Sequence, residues 1–109
     1  MNHQLNDAMI EEITGLFAAL GDASRLRLLR ALLDAEGPLS QRELAQASGL
    51  SQANASKHLA CLARVGLVTR QQSGNTVFFA PVLPLVADLC GLVCDHAAHR
   101  ARTTFQALG

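Results

Sequence analysis

The sequence predicts a mainly α-helical chain with one β-hairpin, in the order ααααββα, and three observations predict it. Apolar residues recur at helical spacing in four stretches of the first 65 residues. A glycine-containing turn joins the third stretch to the fourth, whose front is polar and whose back is a leucine seam. A β-rich run then folds back across Ser-Gly-Asn, and a final helical stretch closes the chain.

The first helix is read from LNDAMIEEITGLFAALGD, where Met9, Ile10, Ile13, Leu16, Phe17 and Leu20 form one apolar stripe, Met9 being placed in the core. Gly21 stops it. Asp22 or Ser24 caps a second helix, SRLRLLRALLDAEG, with Leu26, Leu28, Leu29, Leu32 and Leu33 facing the core and Arg25, Arg27 and Arg30 mostly outside. Gly37-Pro38 ends it. Ser40 and Glu43 have capping-box spacing and open a short third helix, QRELAQAS, that stops at Gly49. Ser51 caps a fourth helix, Gln52 to Val65, ended by Gly66. Val68 and Thr69 begin a strand, Gln71 to Asn75 form a turn, and TVFF is the return strand, broken by Pro81 and Pro84. Pro84 suits the first turn of a last helix from Leu85 to Ala107.

Composition narrows the function. The chain has 109 residues, 50% of them hydrophobic, which predicts a single packed domain over residues 1–109. The four aromatics are all Phe, a poor endowment for stacking single-stranded bases. No run is long and apolar enough for a membrane span, and MNHQLNDAMIEE lacks the basic-then-apolar order of a leader, so a cytoplasmic protein is expected. Net charge is zero but unevenly spread. Residues 51–76 hold Lys57, Arg64 and Arg70 with no acid, the local imbalance a phosphate-binding surface needs. An enzyme is not expected: there is no phosphate loop, no catalytic triad order and no Cys-x-x-Cys.

Two helices around a tight turn, then a hairpin, describe a winged helix-turn-helix. ALGDASRLRLLRALL (Ala19 to Leu33), RELAQASGLSQANASKHLACLARVGLV (Arg42 to Val68) and TRQQSGNTVFFA (Thr69 to Ala80) together resemble the ArsR/SmtB family of bacterial transcriptional repressors. The resemblance implies a homodimer joined through the first and last helices, bound to a double-stranded DNA operator and released by an inducer. It implies no cofactor required for DNA binding.

Geometry assigns roles on the fourth helix. Ser51, at the helix N-terminus, suits a phosphate. Gln52, Asn54, Ser56 and Lys57 lie on the early exposed turns, where Gln and Asn can pair with adenine edges and Lys with guanine or phosphate. His58 lies beside them as a phosphate or base contact, and Arg70 sits on the wing. Capping and solvation are the plainer roles for Gln52 and Asn54.

Cys61, Cys90 and Cys94 are an odd number of thiols, which excludes a closed disulfide framework. The family's arsenic-type pair on the third helix is replaced by Ala45 and Ala47. Its zinc-type site on the last helix retains Asp88 and Cys90, but has Ala101 and Thr104 where the later ligands would stand. Cys61 matches the position of one thiolate in a cadmium/lead-sensing branch, although Val65 replaces the second. Cys90 and Cys94 share one helix face. Three thiolates would suit As(III), Cd(II) or Pb(II) as inducer. Sensing of reactive sulfur or oxidants by cysteine modification is the second reading, and packing with no cysteine-based inducer the third.

Overall fold

The computed structural model describes residues 5–108; the first four residues of the segment read for a leader, and Gly109, lie outside them. The elements are α1 (Asp7–Leu20), α2 (Ala23–Asp34), β1 (Leu39–Ser40), α3 (Gln41–Ser48), α4 (Gln52–Arg64), β2 (Val68–Ser73), β3 (Thr76–Pro81) and α5 (Leu85–Leu108). The order is the expected one with a short strand added.

Local chemistry sets the helix boundaries. Asn6, Asp22, Ser40 and Ser51 cap α1 to α4, each side chain accepting the amide three residues on. Ser40 and Glu43 complete a capping box, with Ser40 N–H donating to Glu43 Oε1 at 2.9 Å. Gly49 follows α3 in the left-handed conformation at φ 69°, and Leu50 N–H returns to Ala45 C=O at 3.0 Å. A side chain at that φ would be strained, so the glycine makes the tight turn between the two helices.

The core lies between α2, α3, α4 and the sheet. Leu28, Leu29, Leu44, Leu59, Leu62, Leu67 and Val86 are fully buried there, with Phe79 closing it from β3. The sheet has the order β1-β3-β2, antiparallel throughout. β1 is an addition to the expected elements. It exists because Leu39 and Ser40 pair with Phe79 and Phe78, a partnership distant in sequence and without a local signal. The hairpin is tighter than expected: β2 runs to Ser73, which pairs with Thr76 around Gly74-Asn75. Pro81 does not break the strand but ends it, opposite Val68, where a missing N–H is tolerated.

Two core assignments are corrected. Leu26 is 45% exposed and Met9 36% exposed. Apolar spacing identifies a stripe but not what buries it, and in one protomer much of the α1 stripe, with Ile10 and Phe17, remains open. So do Leu92, Val93 and Phe105 on α5.

Candidate nucleic-acid interface and thiol groove

α4 is anchored by Ala55, Leu59 and Leu62, all at 0% exposure. Their spacing of three and four residues puts one face into the core and the other outside. Ser51, Gln52, Asn54, Ser56 and Lys57 are all exposed, so the side chains expected to read DNA lie together on the free face. Ser51 Oγ accepts from Asn54 N–H at 3.1 Å. It therefore serves as the helix cap, which leaves the neighbouring amides and the positive end of the helix dipole for an anion.

The wing meets this helix across a cleft of about 550 Å³. Arg64 and Arg70 line it from α4 and β2, together with Ser56 and Gln41, over a floor containing Phe79. In the sequence Arg64 stands out only as local charge; its place in the cleft depends on where β2 packs. Gln41 is an unexpected part of this surface. Its Nε2 donates to the backbone oxygen of Gln52 at 3.3 Å and to Gln52 Oε1 at 3.2 Å. A Gln at the start of one helix carries no sequence signal that it will hold a residue of the next.

His58 differs from its neighbours. It is half-buried, and its Nδ1 lies 3.3 Å from Nη1 of Arg25. The same guanidinium donates from Nε to Ala19 C=O at 2.6 Å and from Nη2 to Ala18 C=O at 3.1 Å. These are last-turn carbonyls of α1, where a cation is favoured. Asp22 stands nearby. The Arg25 amide holds its carboxyl below the usual value, against a desolvation cost, and the charge of Arg25 adds to the effect.

The three cysteines fall in two places. Cys61, on α4, is half-buried and packs against the core. Cys90 is half-buried and Cys94 exposed, and both line an apolar groove of about 350 Å³ between α2 and α5. Leu26, Leu33, Leu89 and Val93 form its walls, with Arg30 and Asp34 at its edge. Burial, and then the neighbouring Cys94, push the Cys90 thiol above its ordinary value. Among the described residues no three His, Cys, Asp or Glu side chains come together to hold a metal ion. Cys61 lies on α4 and is not among the residues that line the groove of Cys90 and Cys94. His96 and His99 are exposed on α5.

Comparison with known proteins agrees with this geometry. A MarR-family model matches residues 22–76, the helix-turn-helix and most of the wing. The chain is 36% identical over 85 residues to the "probable mercury resistance operon repressor" of Streptomyces lividans, covering 78% of this chain and 66% of that one. It is 39% identical over 79 residues to the transcriptional activator HlyU of Vibrio cholerae, covering 72% and 71%. For several of the curated relatives, the matched segment spans only from about half to two thirds of the relative's length. In three dimensions the chain is similar to the homodimeric winged helix-turn-helix DNA-binding domain of Mb0332 from Mycobacterium bovis, a possible ArsR-family regulator. The TM-score is 0.80 at 27% identity, over 94% of this chain and 95% of the other. No helix among the described residues is long and apolar enough to cross a membrane.

Proposed function

The chain belongs to the ArsR family of winged helix-turn-helix transcriptional regulators, and from that premise we propose that it is a sequence-specific, operator-binding repressor. It acts as a homodimer on double-stranded DNA and is released by a thiol-directed inducer, a soft metal(loid) ion such as As(III), Cd(II) or Pb(II). The observation that carries the DNA-binding reading is the free face of α4. Gln52, Asn54, Ser56 and Lys57 are exposed beside the Arg64–Arg70 cleft, and residues 51–76 contain no acid to repel a phosphate. Ser51 and His58 would contact the backbone and Arg70 would follow it from the wing.

The dimer reading is supported by the open apolar residues of α1 and α5, Phe17 at 66% and Phe105 at 79% exposure among them. It is also supported by the homodimeric Mycobacterium bovis neighbour. One reading helix covers few base pairs, so two copies reading two half-sites are the usual solution.

For the inducer, Cys90 and Cys94 supply two thiols on one helix face, and the Streptomyces relative is named for mercury resistance. Soft thiolates select soft ions. The third ligand is Cys61, from the same protomer or from between the two copies, with solvent as the remaining source. Ion binding must favour the DNA-incompetent dimer, and each ~1.4 kcal/mol of preference weakens operator binding tenfold.

The test starts with duplexes selected from a random pool by the reduced dimer. As(III), Cd(II), Pb(II) and a persulfide donor are then titrated into the complex, followed by DNA release, ultraviolet absorbance and mass. A thiolate charge-transfer band that rises with DNA release, and is lost in the Cys90→Ser/Cys94→Ser variant, supports the metal(loid) reading. Cys61→Ser tests membership of the site separately. Release with a gain of sulfur mass and no band would replace it with reactive-sulfur sensing. Failure to select any duplex would reject DNA binding itself.

A further inference from the structure

Arg25 bridges two elements other than its own. Its guanidinium reaches the carbonyls of Ala18 and Ala19 at the end of α1 and Nδ1 of His58 on α4, 33 residues away. Arginine is a donor only and stays charged. The nitrogen it faces must therefore accept, which makes Nδ1 the bare nitrogen of a neutral ring and puts the proton on Nε2. Among the described residues no hydrogen bond to Nε2 is found, and it is not an unpartnered buried atom. It therefore opens to solvent as a donor, on the helix whose exposed turns hold Ser56 and Lys57.

We propose that Arg25 is a positioning residue for DNA binding: it fixes His58 in the Nε2–H tautomer, so that a ring N–H meets a DNA phosphate, and ties that ring to the end of α1. This rests on the operator-binding reading above. A phosphate oxygen accepts and cannot donate, so only this tautomer makes the contact while neutral. The link also means that movement of the α1 C-terminus reaches the reading helix through one side chain. Lysine cannot replace it, having no planar fork to span two carbonyls and a ring nitrogen.

The test has two independent readouts on the full-length dimer. Long-range 1H–15N correlation at pH 8, with His58 identified by its loss in His58→Ala, reports the tautomer without DNA. Binding to a selected duplex is measured for Arg25→Ala, Arg25→Lys, His58→Ala and Arg25→Ala/His58→Ala, each checked for dimer mass and helicity. The expected result is an Nε2–H ring in the wild type and a mixed tautomer in both Arg25 variants. Binding should weaken about tenfold in each Arg25 variant and in His58→Ala, as for removal of one charge-assisted hydrogen bond, and no further in the double variant. An Nδ1–H ring in the wild type overturns the proposal even if every Arg25 variant fails to fold. Effects of Arg25→Ala and His58→Ala that multiply also overturn it, while leaving operator binding intact. A wild type that binds no duplex removes both the proposal and the reading beneath it.

Discussion

The side chain of Gln41, the first residue of α3, holds Gln52, the first residue of α4, at two points: its Nε2 donates to the Gln52 backbone oxygen at 3.3 Å and to Gln52 Oε1 at 3.2 Å. Oε1 keeps a second lone pair and the Gln52 amide keeps both its hydrogens. On the operator-binding reading proposed above, the donor–acceptor pair that Gln52 would offer an adenine edge is thus oriented before DNA arrives. Ordering a long side chain in advance removes part of the entropy cost of binding. Gln41→Ala is expected to leave the fold intact and to lower discrimination at the base pair facing Gln52 by roughly threefold to tenfold, part of the ~1–3 kcal/mol a bidentate pair provides. Competition binding with single-base operator variants reads this directly. An equal drop in affinity on every sequence would place Gln41 on the backbone instead.

The capping box at the start of α3 gives a pH-dependent prediction. The Ser40 amide, and then the Ser40 side chain, hold the Glu43 carboxyl below its usual value. Its folded pKa is depressed, so the contribution to stability is complete above the unfolded pKa and is lost as pH falls through the folded one. Ser40→Ala should cost ~1 kcal/mol at neutral pH. Glu43→Gln should be less stable than wild type at pH 7, the difference closing in strong acid. Urea unfolding of both proteins at one concentration checks it, since dimer stability depends on concentration. A difference that persists unchanged at pH 2 would show that the charge of Glu43 is not involved.

The helix-turn-helix is legible in the sequence because its punctuation is local. Asp22, Ser40 and Ser51 each act on an amide three residues away, and Gly49 and Gly66 sit at φ 69° and 80° where other residues are strained. What is not legible depends on contacts between distant segments. β1 is two residues long and exists only through Phe78 and Phe79. Leu26 and Met9 have helical spacing, but that spacing is the same whether the stripe is covered by the chain itself or by another copy. The exposed set of Ser51, Gln52, Asn54, Ser56 and Lys57 follows from a single helix. The partners that hold Gln52 and the neighbouring His58, namely Gln41 and Arg25, lie on other helices. Whether Cys61 meets Cys90 and Cys94 depends on how α4 and α5 pack, which helical spacing within either element does not encode.

Cys90 and Cys94 should react unequally although they lie one turn apart. Cys94 is exposed, whereas Cys90 is half-buried with its thiol pKa raised by desolvation and by Cys94. The thiolate is the nucleophile, so iodoacetamide at neutral pH should label Cys94 first, with the two rates converging on denaturation. Because folding raises the Cys90 pKa, the folded chain holds that proton more tightly. Its contribution to stability is complete below the unfolded thiol range and is lost as pH rises through the folded value. An ion that binds both thiols must displace the proton, so its affinity should rise with pH and binding should release protons. Peptide mass mapping over a time course gives the labelling order; Cys90 labelled as fast as Cys94 in the native dimer would contradict the burial argument.

The cations around α4 should separate from the polar base readers by their response to salt. Lys57 and Arg70 are exposed, and Arg64 joins Arg70 in the cleft between helix and wing. A side chain that neutralises a phosphate displaces a condensed counterion. Its removal should lower the slope of log affinity against log salt by about one unit per phosphate no longer neutralised, with each half-site of a dimer counted separately. Lys57→Ala, Arg64→Ala and Arg70→Ala are therefore expected to weaken binding nearly uniformly across sequences and to flatten that slope. Gln52→Ala and Asn54→Ala should leave the slope unchanged and relax base preference, because a neutral amide releases no counterion. Fluorescence anisotropy on one operator and one scrambled duplex, across a range of salt concentrations, distinguishes the two classes. If Arg64→Ala weakens binding with no change in slope, the guanidinium supports the helix–wing junction rather than a phosphate. The cleft would then be a packing feature beside the interface rather than part of it.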